Sequence, residues 1–307
     1  MRVLVTGASG YIGRALAGAL AARGDEVVTV THRPPLPGQV GVNLGERRLD
    51  TSRMPAGRLG EVDTAVHLAG TPIVARWTSR RREEIRASRI ALGDILARAL
   101  VSLEPPPGVL VTGSAIGYYG ERGEEELDEG SPPGNGFLAE VCRAWEDAAT
   151  PAREAGIRVV ALRTGVVLGQ CGGALGPQLP IFRLGLGGRL GAGRQWTSWV
   201  SLADEVRMIL FALDTASVSG PINATSPNPV RNAELAAALG RALHKSAPFA
   251  VPPLVLELAL GRGPAREMLL VSQRVRPARL EQAGFRFEHP DVERAIAAAL
   301  GRPTLPS

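Results

Sequence analysis

Apolar and polar positions follow two periods along this chain. Val3-Leu4-Val5 is a short continuous apolar run that breaks into the turn Gly7 to Gly13, and an alanine-rich stretch with helical spacing then reaches about Ala22 and closes at Gly24. The β-branched run Val27 to Thr31 follows, so this opening predicts one βαβ unit. A short strand ending at Leu49-Asp50 and another over Val62 to Gly70, ending in small residues, extend the pattern. From about Ser79 to Ser102 the spacing is helical, until Glu104-Pro105-Pro106-Pro107 stops it; proline lacks the amide hydrogen a helix needs. Gly108 to Ser114 reads as strand and Phe137 to Gly156 as helix, with Ile157 to Arg163 as the next strand. Between them Gly120 to Gly136 is an acidic loop, long enough to suggest function or mobility. Strand and helix alternating in this order predict an α/β fold, a doubly wound parallel sheet of the Rossmann type.

Beyond Gly165 the pattern loosens. Gly172 to Gly193 reads as glycine-rich loop, Ser201 to Leu213 as helix and Gly220 to Asn223 as a short last strand; from about Pro252 short helices alternate with proline breaks. Composition supports the α/β reading: 45% of residues are hydrophobic but only 4% aromatic, so the core is built from Ala, Leu and Val. No apolar run is long enough to span a membrane and no leader precedes the first strand, so a cytoplasmic protein with no membrane partner is expected. Cys142 and Cys171 lie far apart without metal-ligand spacing, and read as ordinary buried thiols; no metal site is expected. The net charge of +5 comes from arginines scattered among acids rather than clustered, so nucleic acid is not an expected partner.

The turn Gly7-x-x-Gly10-x-x-Gly13 follows a strand and opens a helix, the context in which a glycine triplet binds a dinucleotide. Glycines there allow a tight turn, close approach of backbone to a pyrophosphate and close packing of helix on strand. Tyr11 and Ile12 lie inside the same turn. After the second strand, an NAD site carries an acid for the ribose 2′-hydroxyl; here the tip reads Thr31-His32-Arg33. A cation at that place suits the 2′-phosphate of NADP(H). Leu68-Ala69-Gly70, at the carboxyl edge of another strand, is placed beside the adenosine ribose and pyrophosphate. We therefore expect a dinucleotide-binding domain over residues 1–225, with a substrate-side loop at about 170–200. A small, mostly helical C-terminal substrate lobe is expected over residues 250–300.

Together with the glycine turn, Ser114-Ala115-Ile116-Gly117-Tyr118-Tyr119-Gly120 and Leu162-Arg163-Thr164-Gly165 make the chain resemble an extended short-chain dehydrogenase/reductase. Phe137-Leu138-Ala139-Glu140, Gln195-Trp196, Trp199 and Arg274-Val275 narrow the resemblance to the atypical NAD-dependent epimerase/dehydratase-like proteins, whose small C-terminal domain has no known function. The resemblance implies a catalytic serine at Ser114 and cofactor contacts at Glu84, Arg89 and Arg163. It also exposes a departure: where the family pattern has Tyr, and Lys four residues later, this chain has Phe137 and Val141, and its single lysine is Lys245. A phenol acting in their place is Tyr118 or Tyr119; equally, both tyrosines shape the pocket. Glu84 and Arg89 also fit a solvated helix face. Two further departures are His32, where relatives have Arg, and Ser201, where they have His.

Arg183, Arg189, Arg194, Trp196 and Trp199 point to a small-molecule substrate that is anionic or nucleotide-linked, with tryptophan stacking on a base or sugar. The same tryptophans also suit anchors for a glycine-rich loop. Two functions stay open: an NADP(H)-dependent oxidoreductase or epimerase, and a non-catalytic NADP(H)-binding regulator or sensor. Apolar helix faces suit both a covered sheet and a second subunit, leaving the oligomeric state open.

Overall fold

The computed structural model describes residues 1–31, 39–43, 48–50 and 61–301. His32 and Arg33 therefore lie outside the described residues. The strands in chain order are β1 (Arg2–Thr6), β2 (Glu26–Thr31), β3 (Val40–Asn43), β4 (Arg48–Asp50), β5 (Thr64–His67), β6 (Val109–Ala115), β7 (Glu126–Leu127) and β8 (Arg158–Thr164). They continue with β9 (Val166–Leu168), β10 (Gly188–Leu190), β11 (Trp196–Thr197), β12 (Trp199–Ser201), β13 (Gly220–Ala224), β14 (Val230–Arg231), β15 (Phe249–Val251) and β16 (Arg274–Val275). The helices are α1 (Tyr11–Ala22), α2 (Ser79–Arg86), α3 (Leu92–Val101), α4 (Phe137–Asp147), α5 (Thr150–Glu154) and α6 (Leu179–Arg183). After them come α7 (Leu202–Asp214), α8 (Asn232–Ala242), α9 (Pro253–Leu260), α10 (Arg262–Pro264), α11 (Ala278–Gln282) and α12 (Val292–Ala299).

Among the described residues, eight strands form the main sheet in the order β13-β8-β6-β5-β1-β2-β3-β4. All neighbours are parallel except β3 and β4. The chain builds outward from β1 in both directions, so the order reverses between β1 and β5, and a crevice opens past their carboxyl ends. Both faces are covered, which explains the uninterrupted apolar runs: Val3 and Val5 meet Leu16 and Leu20 of α1 and Met208 and Ile209 of α7. Leu4, between them, points the other way and joins Ile95, Leu96 and Leu100 of α3.

The structure refines several expectations. The helix read from Ser79 to Ser102 is α2 and α3 joined through a π-helical turn at Ala87–Ala91. The helix read to Gly156 divides into α4 and α5, because Pro151 starts a new first turn. The acidic loop is pinned: β7 pairs with β16, and Leu127 is fully buried. Cys142 is buried as expected, but Cys171 is exposed. Toward the C-terminus, Leu280 and Phe285 pack into the same core as Val3 and Val5, and Ala295 and Ile296 of α12 join Leu235 and Leu239 of α8.

Candidate functional site

The glycine turn closes tightly on the mouth of the crevice. Gly7 has φ +75°, a conformation that favours glycine, and a side chain there would come within 2.7 Å of the Ala69 amide nitrogen. A Cβ on Gly13 would lie 2.1 Å from the Gly7 carbonyl oxygen, and on Gly10 3.1 Å from the same atom. The three glycines thus let the start of α1 settle directly on the turn, with Leu68 and Ala69 pressed against it. Gly10 caps α1 without a side-chain hydrogen bond, leaving the first amides of the helix to a ligand or water. Such a cradle fits the pyrophosphate of a dinucleotide. Ile12 packs into the core beneath. The Tyr11 ring instead fills a hollow lined by Gly169, Gly172 and Gly173, where a Cβ on Gly172 would come within 2.4 Å of it. Its side chain therefore locks α1 to the segment after β9, and the backbone of Tyr11 is what the cradle uses. Thr31 ends β2 beside the crevice.

Next to the turn, a buried polar chain fixes the end of β5. Thr6 Oγ1 accepts a hydrogen bond from the Ala69 amide and lies 2.6 Å from His67 Nδ1, to which its own proton is directed. That leaves the imidazole proton on Nε2, facing the Arg89 carbonyl at 3.4 Å. Burial holds His67 at about 4, below the ordinary 6.5, so the ring is neutral. Arg89 itself sits in the π-helical turn, a feature that often re-aims a side chain at a functional site. Its Nη1 donates to the Thr71 carbonyl at 3.0 Å, and its guanidinium lies over the Trp145 ring and against Gly70. Burial pulls its pKa down. The hydrogen bonds of this guanidinium run from Nη1, which leaves Nη2 beside Gly70. Glu84 stands elsewhere, on an exposed helix face where Arg80 and Arg81 donate to its carboxylate at 3.0 and 3.1 Å.

The residues after β6 converge on one ion pair that the sequence did not reveal. Ser114 and Arg163 are register partners on β6 and β8. Ser114 Oγ donates to Glu146 Oε1 at 2.7 Å, and Arg163 grips both Glu146 oxygens at 2.8 and 2.9 Å. Arg163 also donates to Tyr119 Oη at 3.0 Å, and Tyr119 donates to Asn223 Oδ1 at 2.7 Å. Arg163 is thus committed within a buried network rather than facing an open groove. Tyr119 is fully buried, and burial pushes its phenol up to about 12, which suits a core residue rather than a proton donor at neutral pH. Tyr118 is half-buried, with the Arg163 guanidinium 3.5 Å from its ring centre. Arg122 donates to Glu125 at 2.7 Å and to the Pro132 carbonyl at 3.0 Å. Glu146 lies four residues after Cys142, on the buried stripe of α4; an acid on an apolar stripe was the available signal.

Phe137 and Val141, at the Tyr and Lys positions of the family pattern, are buried against Ile85. Between the turn after β6, the start of α4 and the C-terminal helices lies a cavity of about 410 Å³. Gly117, Leu138, Glu121, Glu257, Glu267 and Arg266 are among its lining residues, which do not include Ser114, Tyr118 or Tyr119. Glu267 also caps α4, accepting from the Leu138 amide at 2.9 Å. The arginines and tryptophans expected around the substrate stand apart from this cavity. Trp199 is a fully buried anchor, and Trp196 already has the guanidinium groups of Arg231 and Arg274 against its ring.

Comparison with known proteins fits this geometry. Residues 3–224 match the model of the NAD dependent epimerase/dehydratase family, and residues 251–299 that of a domain of unknown function (DUF1731). An epimerase family protein of Mycobacterium bovis is 40% identical over 304 residues, covering 98% of each chain. Epimerase family protein SDR39U1 of Homo sapiens is 36% identical over 300 residues, covering 96% of this chain and 98% of its own. A crystal structure of human SDR39U1 (isoform 2) with NADPH superposes with a TM-score of 0.89 at 35% identity, covering 98% of this chain and 99% of that one. A Thermus thermophilus UDP-glucose 4-epimerase in complex with NAD, 23% identical with a TM-score of 0.74 and coverage of 96% and 97%, shares the fold. On the extent of these matches, the chain belongs to the NAD dependent epimerase/dehydratase family.

Proposed function

We propose that this chain binds NADP(H) in the crevice past β1 and β5 and acts on a small-molecule substrate as an oxidoreductase or epimerase of the atypical short-chain dehydrogenase/reductase type. The observation that carries this reading is the closed glycine turn, where side chains at Gly7 and Gly13 would strike backbone and α1 has no side-chain cap. The relative solved with NADPH supports it. The backbone from Gly7 to Gly13 holds the pyrophosphate, Leu68 to Gly70 walls the ribose, and Arg89 Nη2 donates toward a cofactor oxygen beside Gly70. Thr31, His32 and Arg33 take the 2′-phosphate. When bound, the nicotinamide supplies the hydride chemistry. Ser114, whose proton is committed to Glu146 and which does not line the cavity, serves this reading by fixing Glu146 beside Arg163 rather than by touching the substrate. With three carboxylates and one guanidinium at the cavity wall, a neutral or cationic substrate fits better than the anionic or nucleotide-linked one read from the sequence.

A second reading, a non-catalytic NADP(H) sensor, is favoured by Phe137 and Val141 in the acid-base positions and by the internal bonding of Ser114. Titration of the purified protein with NADPH and NADH, followed by a screen of carbonyl compounds and nucleotide sugars for cofactor oxidation, tests both. NADPH bound in preference to NADH, with turnover of a carbonyl compound, is the expected result. No binding of either nucleotide overturns the cofactor site, whereas tight binding without turnover across the screen favours the sensor.

A further inference from the structure

Helix α9, Pro-Leu-Val-Leu-Glu-Leu-Ala-Leu, is apolar but for Glu257, yet none of its residues is buried. Leu254, Val255 and Leu258 are 66%, 51% and 66% exposed. An isolated helix of this composition belongs in a core or against a nonpolar phase. Its neighbours continue the surface: β15, just before it, pairs with β10, and the Gly191 amide donates to the Val251 carbonyl, so the segment from α6 to β10 lies alongside. That stretch exposes Ile181, Leu184 and Leu186, and β15 adds Phe249. On the other side Arg76 donates to the Leu258 and Ala259 carbonyls, tying in the segment that carries exposed Val74. Of the ten large apolar side chains exposed among the described residues, eight belong to these three joined segments, far more than scattered surface residues would give.

The charges there have one sign. Arg76, Arg183, Arg189, Lys245 and Arg262 are exposed, and the one acid in these segments, Glu257, is taken by Arg266 at 2.8 Å. A second copy docking by two-fold symmetry would set this cationic surface against itself. A layer of anionic headgroups over hydrocarbon supplies both complements at once. We infer that this chain docks peripherally on an anionic lipid bilayer through α9 and the α6–β10 segment, a partner the sequence did not suggest. No helix among the described residues is long and apolar enough to cross a membrane, so the contact is interfacial. Since Pro253 and Glu257 of α9 also line the cavity, docking sets that cavity beside the bilayer surface.

Co-sedimentation of the full chain with vesicles tests this independently of any cofactor. The protein is expected to pellet with vesicles of phosphatidylcholine and phosphatidylglycerol in equal parts, to leave them in high salt, and to stay in solution with phosphatidylcholine alone. Arg183→Glu with Arg189→Glu should lower partitioning at least about thirtyfold, as the attraction of each basic residue to an anionic surface predicts. Leu254→Asp with Leu258→Asp should abolish it, while circular dichroism and melting stay unchanged because both sites are exposed. Failure to pellet with mixed vesicles at low salt overturns the inference. So does binding that both double variants leave intact, or a stable dimer that Leu254→Asp with Leu258→Asp dissociates.

Discussion

Glu146 and Arg163 show how much a single buried pair can hold. Their side chains are 13% and 3% exposed, and the pair also carries the hydroxyls of Ser114 and Tyr119. Glu146→Ala leaves an uncompensated guanidinium in the interior and should cost about 3–5 kcal/mol in urea unfolding. Ser114→Ala removes one hydrogen bond and should cost only about 1 kcal/mol. Comparable losses for the two would mean that the pair is not the centre of the network. Glu205 offers a second test at this scale. Thr164 donates to one of its oxygens at 2.8 Å, but Oε2 is buried without a hydrogen-bond partner among the described residues, and burial raises the carboxyl to about 8 from 4.5. A raised folded pKa contributes stability that is complete below 4.5 and is lost as pH rises to 8. His67, lowered to about 4 from 6.5, does the reverse: its contribution is complete above 6.5 and is lost as pH falls to 4. Between pH 4.5 and 6.5 the two slopes oppose each other, and from 6.5 to 8 only the Glu205 loss remains. The melting temperature should therefore fall across pH 6.5–8, and Glu205→Gln should flatten that fall. An equal fall in the variant would assign it to another group.

At the scale of elements, the π-helical turn between α2 and α3 is what sets Arg89 against Gly70 and Trp145. Arg89→Ala should weaken NADPH binding roughly tenfold, the worth of one charge-assisted hydrogen bond, and should also cost about 1 kcal/mol of stability through the lost bond to Thr71. Fluorescence titration beside thermal melting separates the two effects; equal affinity in the variant would remove Arg89 from the cofactor site. Helix α4 depends on a cap from a distant segment, since Gly136 contributes no side chain and Glu267 accepts from the Leu138 amide. Glu267→Ala should therefore cost about 1 kcal/mol, as losses of helix caps do. The register of β6 and β8 places Ser114 beside Arg163, yet neither strand read alone predicts that pairing.

Across the whole molecule, the C-terminal segment shares the core of the main sheet. Phe285 packs edge-on against Phe211 of α7 and Phe287, and Leu280 is fully buried in the same cluster as Val3. Phe285→Ala should cost about 3–5 kcal/mol and leave a single unfolding transition in calorimetry. A separate early transition would instead mark residues 250–300 as a domain that unfolds alone. The sequence by itself determined the parallel α/β sheet and the glycine turn, because Val3-Leu4-Val5, the glycine spacing and the helical period of α1 are local patterns that fix backbone conformation over a few residues. It also carried the cofactor reading, through Gly7, Gly10 and Gly13. Only the tertiary structure decided which side chains meet. Residues 114, 119, 146, 163 and 223 form one network because strand register and burial bring them together. An unpaired acid on a buried helix stripe costs too much to stand alone, so Glu146 needed Arg163, and no local pattern in the chain names that partner.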